Sequence, residues 1–438
     1  MPETPSTTRS PWAWVPTVYL AEGLPYVVVM SVSVILYKRL GISNTDIALY
    51  TSWLYLPWVI KPLWSPVVDT LRTRRLWIVV MQFLVGAGLA ALALVIPGSR
   101  FFEYSLAVFY LIAFSSATQD IAIDGFYLLA LDSQQQSFFV GIRSTFYRIA
   151  SICGQGLLVM LAGFIEDYRG YPKTDNHAGA VAFSWAFALV GILFLGFALY
   201  HAILLPKPAS DHAGEAQSVT RFWGEFFSTF GDFFKKPQIG RMILFLLLYR
   251  FAEAQLVKMV SPFLLDPHQK GGLGLTTQQV GFAYGTVGIA FLTLGGILGG
   301  WVVSRDGLKR WLWPMVIAIH LPDTVFVYLA WALPQNLALI NGCIALEQFG
   351  YGFGFAAYML YMIRISRGKH PTAHYAICTG FMALGMMIPG MFSGWIQDNL
   401  GYRRFFIWVL LSTLPGFLVV RIIPLESDFG RKQEAVVK

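Results

Sequence analysis

The sequence predicts an all-α membrane protein of twelve transmembrane helices in two pseudo-symmetric six-helix bundles. Apolar residues make up 56% of the 438-residue chain and charged residues only 13%, about half the usual charged share of a soluble domain. Long apolar stretches recur along the chain, and a motif of the first half returns in the second half. A bilayer accepts such a chain directly, because about 20 apolar residues suffice to cross its hydrocarbon core.

The repeated motif has the pattern Gly-x-x-x-Asp-x-x-Gly. Its fixed positions occur twice at a constant offset of 231 residues, first as Gly163, Asp167 and Gly170 and then as Gly394, Asp398 and Gly401. The pair Ala21-Glu22 recurs as Ala252-Glu253 at the same offset. This period indicates duplication of a membrane unit, and parallel repeats of this kind place a substrate site between the two halves of a transporter.

Stretches long enough to cross about 30 Å of hydrocarbon define the predicted helices. In the first half they span 11–37, 45–68, 76–96, 104–131, 138–165 and 180–204. In the second half they span 239–265, 276–303, 311–333, 336–364, 372–397 and 402–423. The predicted domains are therefore an N-terminal bundle at 1–204, a cytoplasmic linker at 205–238, a C-terminal bundle at 239–424 and a cytoplasmic tail at 425–438.

Loop charge predicts the orientation and explains the net charge of +8. Lys and Arg concentrate in alternate loops, and the positive-inside bias then places both termini in the cytoplasm. In the linker, Phe222, Phe226, Phe230 and Phe234 recur every four residues, which predicts an amphipathic helix on the inner membrane face. We expect this helix to tether the halves, with a regulatory role as the alternative.

Ionisable residues inside the predicted helices are the candidates for substrate binding or proton coupling. Each costs about 2.5–3.5 kcal/mol at the bilayer centre, so we expect these groups to face water or one another. The candidates are Glu22, Lys61, Asp120, Asp124, Arg148, Arg250, Glu253, Lys258 and Glu347. Asp323 follows Pro322, and we expect it to satisfy backbone groups that the proline frees.

The candidates sort by depth into two sets. Glu22, Arg250 and Glu253 lie near the middle of helices 1 and 7, and Lys258 lies about two helical turns beyond them. The repeat predicts that Glu22 faces Glu253 across a central cavity, where a carboxylate alternately paired with Arg and exposed to water binds and releases a proton. A permanent structural ion pair is the alternative, although such a pair is often no better than apolar packing.

The second set lies closer to the cytoplasm. Asp120 and Asp124 are four residues apart and therefore share one face of helix 4. The two carboxylates repel each other unless cations lie between them, and Lys61, Arg143 and Arg148 are available. The set is either a substrate or proton site or a latch between helices 2, 4 and 5.

The loop after helix 8 predicts a cytoplasmic gate. Residues 300–310 read Gly-Trp-Val-Val-Ser-Arg-Asp-Gly-Leu-Lys-Arg and resemble the major facilitator signature Gly-x-x-x-Asp-Arg-x-Gly-Arg/Lys-Arg/Lys. Ser304 replaces the signature acid, while the first-half copy at 65–75 lacks both glycines, so we expect an asymmetric latch with Asp69 as its main carboxylate. The candidate gating residues are Asp69, Arg72, Arg74, Arg75, Arg305, Asp306 and Arg310. A purely topological role for the arginines is the alternative.

Several stretches resemble the AmpG muropeptide permeases. The most specific is Ser-Ala-Thr-Gln-Asp-Ile-Ala-Ile-Asp at 116–124, and others lie at 21–25, 61–69 and 248–254. The resemblance implies proton-driven import, across the bacterial inner membrane, of cell-wall fragments that carry an anhydro-muramyl sugar and a peptide. It also implies that Asp120 and Asp124 occupy acidic positions of the family motif. The eukaryotic acetyl-CoA transporters share this wider family, so the substrate stays open.

The expected partners are a small glycopeptide substrate, protons and the lipid bilayer. We expect a monomer, no nucleic acid, no metal and no cofactor, with the proton gradient as the driving force. The alternatives are a permease for a peptide, siderophore or acyl-CoA and, from another class, a membrane-embedded enzyme. The enzyme is disfavoured because the seven histidines of the chain are scattered and the sequence contains no His-Glu-x-x-His motif.

Overall fold

The computed structural model describes residues 9–170, 175–208, 211, 219–426 and 429–430. Within these ranges the chain forms helices and no strand, and every predicted span is helical, which confirms the twelve-helix prediction. The helices up to the linker are α1 Pro11–Arg39, α2 Asn44–Trp53, α3 Leu56–Leu71, α4 Arg74–Val95, α5 Phe101–Ala130, α6 Gln134–Tyr168 and α7 Asn176–Leu204. The remaining helices are α8 Val219–Phe234, α9 Ile239–Leu248, α10 Phe251–Leu265, α11 Thr277–Asp306, α12 Leu308–Ala332, α13 Leu337–Ser366, α14 Pro371–Leu411 and α15 Leu414–Ile422.

Short polar side chains start many of these helices, as capping requires. Asp132 and Thr276 each form a capping box with a glutamine three residues later, and Ser43, Thr73 and Asn336 cap other helices. Each cap satisfies backbone N–H groups that have no partner inside the helix. The loops predicted between apolar stretches therefore carry the residues that begin the next helix.

Eight segments of the described residues are long and apolar enough to cross a membrane. One of them, Pro371–Ile422, contains both predicted helices 11 and 12, and the backbone between them leaves the helical region at Gly401 with φ 70° and ψ 162°. Large apolar side chains such as Leu94 and Ile192 are 82% and 67% exposed on these helices. Such surfaces are stable in lipid, where they need no cover.

The chain divides by its internal contacts into two units. The first comprises Met1–Gly41, Ile60–Val219 and Thr276–Gly285, and the second comprises Ile42–Val59, Thr220–Leu275 and Thr286–Lys438. Each half of the sequence therefore gives one segment to the unit built mainly from the other half. The two exchanged segments contain the starts of helices α2 and α11, which occupy corresponding positions in the repeat.

The glycines of the repeated motif contact these exchanged segments closely. A Cβ atom on Gly394 would lie 1.9 Å from the Asn44 carbonyl oxygen, and one on Gly163 would lie 2.4 Å from the backbone nitrogen of Gln278. Only glycine permits backbones to approach so closely. Beside Gly394, the Asp398 carboxylate accepts hydrogen bonds from the start of α2. The motif found in the sequence is thus a contact site for a helix start.

Helix α13 makes close contacts through its small residues. A Cβ atom on Gly350, Gly352 or Gly354 would lie within 2.5 Å of backbone oxygens of Ala318, Leu292 or Met315, respectively. Small residues of this kind let helix backbones approach one another closely. The packing brings α11 and α12 against α13 in the second unit.

The linker helix α8 packs within the second unit. Phe233 is fully buried, with its ring centroid 5.5 Å from that of His374, and Lys236 donates a 2.9 Å hydrogen bond to the carbonyl of Arg367. Phe234, which belongs to the predicted apolar face of the helix, is 49% exposed. The helix therefore buries the adjacent residue, Phe233, in its place. The side chains of Phe222 and Phe226 lie outside the described residues.

Candidate functional site

The first unit contains a cluster of paired charges, which we call the first charge cluster: Tyr19, Glu22, Lys61, Asp120, Asp124 and Arg143. Lys61 donates to the Asp120 carboxylate, and Arg143 donates to Asp124 Oδ1 at 3.2 Å. The Tyr19 hydroxyl accepts from Arg143 at 3.1 Å and donates to Asp124 at 3.4 Å. Each aspartate therefore has its own cation, one from α3 and one from α6.

Glu22 belongs electrostatically to this cluster. Its side chain is buried, and its Oε2 atom has no hydrogen-bond partner among the described residues. Its carboxylate interacts with the charges of Asp120, Asp124 and Lys61. The sequence grouped Glu22 with Arg250 and Glu253 by depth, and within its own unit α1 and α5 bring Glu22 beside the aspartates.

Local contacts explain how α1 holds Glu22 in place. The Gln119 amide donates a 2.9 Å hydrogen bond to the Ala21 carbonyl, which joins α1 to α5 one residue before the glutamate. A Cβ atom on Gly23 would lie 2.9 Å from Ala150 Cβ, so α1 also packs closely on α6. Arg148 is half-buried and has no ion pair among the described residues, so Lys61 and Arg143 supply the cations.

The second unit holds Arg250 at a break between two helices. Helix α9 ends at Leu248, and α10 begins at Phe251 with Arg250 in a non-helical conformation. The guanidinium carbon lies 4.7 Å from the ring centroid of Phe355 and 5.3 Å from that of Tyr351, and one guanidinium nitrogen donates to the Tyr351 hydroxyl. Aromatic faces attract a cation, so these rings stabilise the charge of Arg250. Its Nε atom has no partner among the described residues.

Three acids converge beside Arg250, and we call them the acid triad. One carboxylate oxygen each from Glu253, Asp323 and Glu347 lies within 4.8 Å of the others. All three side chains are 1% exposed. The prediction that Asp323 satisfies backbone groups freed by Pro322 is wrong, because both Asp323 oxygens lack a hydrogen-bond partner among the described residues.

Lys258 is a buried cation in the second unit with neutral neighbours. Its ammonium donates a 2.9 Å hydrogen bond to Thr51 Oγ1 and lies 5.3 Å from the ring centroid of Tyr55. Within the described ranges it forms no ion pair, and it is 2% exposed. The nearby Ser52 Oγ is buried and has no hydrogen-bond partner among the described residues. A buried charge without an opposite charge is costly, which points to a site for an anionic group.

Three of the gating candidates, Arg305, Asp306 and Arg310, form a local ion cluster at the end of α11. Asp306 accepts hydrogen bonds from Arg305 at 3.0 Å and from the Trp311 indole at 3.0 Å, and Arg310 lies 3.8 Å from it. In the first-half copy, the backbone N–H groups of Arg74 and Arg75 donate to the Asp211 carboxylate at 2.8 and 3.1 Å. Arg72 is exposed, and the Asp69 side chain lies outside the described residues.

Some site residues escaped sequence reasoning. Tyr19, Thr51, Tyr351 and Asp323 were not predicted to take part, although Tyr19 precedes Glu22 by one helical turn. Residues three apart share one face of a helix, so the spacing from Glu22 could have identified Tyr19. Thr51 and Tyr351 come from helices distant in sequence, and no local pattern marks them.

Membrane-length apolar helices around buried ionisable groups define a multi-pass membrane protein with the interior of a transporter. Residues 17–388 match the family model of the Major Facilitator Superfamily, and the chain belongs to that superfamily.

Its relatives include proteins of the AmpG group. The chain is 25% identical over 415 residues to the Rickettsia conorii protein named AmpG 4, covering 92% of this chain and 93% of that one. It is 22% identical over 379 residues to the anhydromuropeptide permease of Escherichia coli K12, covering 85% of this chain and 72% of that protein. The resemblance to AmpG permeases is thereby confirmed.

Solved structures share the fold. The nucleoside transporter NupG matches with a TM-score of 0.70 at 15% identity, over 94% of this chain and 98% of that one. A bacterial homologue of the human lysosomal transporter Spinster matches with a TM-score of 0.69 at 14% identity, over 95% of this chain and 98% of that one. At these identities the likeness concerns the fold alone.

Proposed function

We propose that the protein is a secondary active transporter of the bacterial inner membrane that imports anhydromuropeptides together with protons by alternating access. Membership of the superfamily supports transport, and similarity to the Escherichia coli anhydromuropeptide permease supports the substrate class. The observation that carries the proposal is the placement of residues 116–124, the stretch most specific to the AmpG resemblance. It brings Asp120 and Asp124 into the first charge cluster with Lys61 and Arg143.

The first charge cluster supports coupling between protonation and helix contacts. The Lys61–Asp120 pair joins α3 to α5, and the Arg143–Asp124 pair joins α5 to α6. When a proton binds one of these carboxylates, the carboxylate loses its charge and its ion pair with Lys or Arg weakens. The nearby Glu22 carboxylate is a place for that proton to arrive, since one of its oxygens has no partner among the described residues.

Cations of the second unit suit the substrate. A muropeptide carries peptide carboxylates and sugar rings with apolar faces. Lys258 and Arg250 are buried cations that no carboxylate neutralises within ion-pair distance in the described part of the chain, so each fits a substrate carboxylate. Tyr55 and Phe355 lie against these cations and offer ring faces to a sugar.

The proposal includes an orientation with both termini in the cytoplasm. Loops rich in Lys and Arg then face the cytoplasm, as the positive-inside rule requires. The Asp306 ion cluster after α11 lies on that side and acts as a latch in one state of the transport cycle. Glu253 serves as a proton carrier in the second unit.

A competition uptake assay in proteoliposomes tests the proposal. The purified protein is reconstituted, an inward proton gradient is imposed, and accumulation of labelled anhydromuropeptide is measured against excess plain peptide, siderophore or acyl-CoA. We expect accumulation that a protonophore abolishes and that only unlabelled anhydromuropeptide competes away. Competition by one of the other compounds instead would overturn the substrate assignment, and accumulation that ignores the protonophore would overturn proton coupling.

A further inference from the structure

We propose that the acid triad of Glu253, Asp323 and Glu347 is a binding site for a small metal cation of the size of Na⁺ or Ca²⁺. The inference deepens the proposed function, because the ion would bind inside the same transporter, and it rests on that function only for its role in transport. The sequence predicted no metal site. The three acids come from α10, from the turn before Thr324 and from α13, and only the fold brings them together.

The spacing of the oxygens fits one ion. Each acid offers one oxygen, and the three oxygens lie within 4.8 Å of one another. Oxygens bound to one Ca²⁺ lie about 2.3–2.6 Å from the ion and therefore at most about 5.2 Å from one another, a limit that the triad meets. Na⁺ has a similar ionic size. Mg²⁺ usually keeps several of its waters, so a buried site formed by protein oxygens suits it less well.

A second observation points to a missing ligand. Both oxygens of Glu253 and both oxygens of Asp323 are buried and have no hydrogen-bond partner among the described residues. Glu347 has one protein donor, the Gln348 amide at 2.9 Å. Buried polar atoms are otherwise almost always satisfied, and buried carboxylates are paired or coordinate metals. The unpartnered carboxylates therefore converge on a place where a cation would satisfy them.

The neighbouring basic side chains of the described residues do not neutralise the acid triad. Arg250 interacts electrostatically with Glu253, yet its hydrogen bond goes to Tyr351 and its guanidinium packs on aromatic rings. No Lys or Arg lies within ion-pair distance of the triad in the described part of the chain. When all three acids are ionised, their negative charge exceeds the positive charge of the one guanidinium, and hard cations prefer oxygen ligands of this kind.

Direct ion binding to the purified full-length protein in detergent tests the proposal without any substrate. Binding of ²²Na⁺ and of ⁴⁵Ca²⁺ is measured at pH 8 in choline buffer, with Mg²⁺ and K⁺ as competitors. We expect saturable binding of one ion per chain in at least one of the two arms. We also expect weaker binding at lower pH, since protons compete for the ligands.

Matched variants locate the ion. Asp323→Asn and Glu347→Gln keep the shape of each side chain and remove its charge, and we expect each to weaken ion binding at least ten-fold. Glu426→Gln is the control, because Glu426 in the same unit is largely exposed and paired with Arg364, and it should bind as the parent does. A thermal melt in choline buffer verifies that every variant is folded.

Two results would overturn the inference. One is the absence of saturable binding of either ion to the folded parent protein, which would leave the triad a site for protons only. The other is unchanged ion binding in both folded triad variants, which would place any ion elsewhere. Failure of muropeptide uptake with ion binding intact would instead count against the proposed substrate, so the two proposals can fail separately.

Discussion

Asp398 caps the start of a helix that comes from the other half of the sequence. Its Oδ2 atom accepts hydrogen bonds from the backbone nitrogen of Thr45 at 3.0 Å and from Thr45 Oγ1 at 2.6 Å. The positive end of a helix dipole favours such a carboxylate. In the second copy of the repeat, the glycine therefore admits the helix start and the aspartate binds it.

The first prediction concerns this contact. Gly394→Ala should lower the free energy of unfolding by about 1–3 kcal/mol, because the added Cβ meets the Asn44 backbone and the tightly packed contact must shift. Gly300→Ala is the control, since a Cβ there meets nothing within 4 Å, and it should be neutral or slightly stabilising. Denaturant unfolding in detergent measures both, and equal effects of the two substitutions would refute the close contact.

The second prediction concerns the buried ion pair of the first unit. Arg39 Nε donates to Glu166 Oε1 at 3.0 Å, and Thr277 Oγ1 donates to the other oxygen at 3.0 Å. Arg39→Met leaves Glu166 buried without its cation and should destabilise the protein by about 3–5 kcal/mol. The double variant Arg39→Met/Glu166→Gln should recover part of that loss in the same unfolding assay. Strictly additive losses would show that the two side chains are not coupled.

The third prediction concerns the first charge cluster. Asp120→Asn should abolish uptake of labelled anhydromuropeptide, because it removes the partner of Lys61 and leaves that cation uncompensated. Glu103→Gln on the same helix is the control, since Glu103 is exposed in the first turn of α5. Proteoliposome uptake is the measurement, and unchanged uptake by folded Asp120→Asn protein would make the cluster structural.

The fourth prediction concerns proton coupling in the second unit. Glu253→Gln should insert normally and exchange substrate across the membrane, yet fail to accumulate it against a gradient, because the amide binds no proton. Counterflow and proton-driven uptake are compared in the same vesicles. If the variant accumulated substrate as well as the parent does, Glu253 would have no part in coupling.

The fifth prediction concerns the buried side chain of Lys258. Lys258→Met should raise the KM for anhydromuropeptide about ten-fold, the loss of about 1.4 kcal/mol of binding free energy, because a substrate carboxylate loses its cation. Lys309→Met is the control, as Lys309 is exposed at the start of α12. A KM unaffected by loss of Lys258 would assign that residue to packing against Thr51 and Tyr55.

The sequence by itself determined the helices and the repeat. A membrane-spanning helix must be apolar for about 20 residues, so each span is readable from composition alone. Buried charges were visible for the same reason, since an ionisable residue stands out in an apolar run. The depth of each charged residue along its helix could also be read from the sequence, because each residue adds about 1.5 Å to the length of the helix.

Only the tertiary structure decided which charges meet. Glu22 and Glu253 occupy equivalent positions in the repeat, yet Glu22 joins Asp120 and Asp124 while Glu253 joins Asp323 and Glu347. Depth along a helix leaves open both the rotation of that helix about its axis and the identity of its neighbours. Those are set by packing of side chains far apart in sequence, as when the backbone of α13 meets α11 at Gly352.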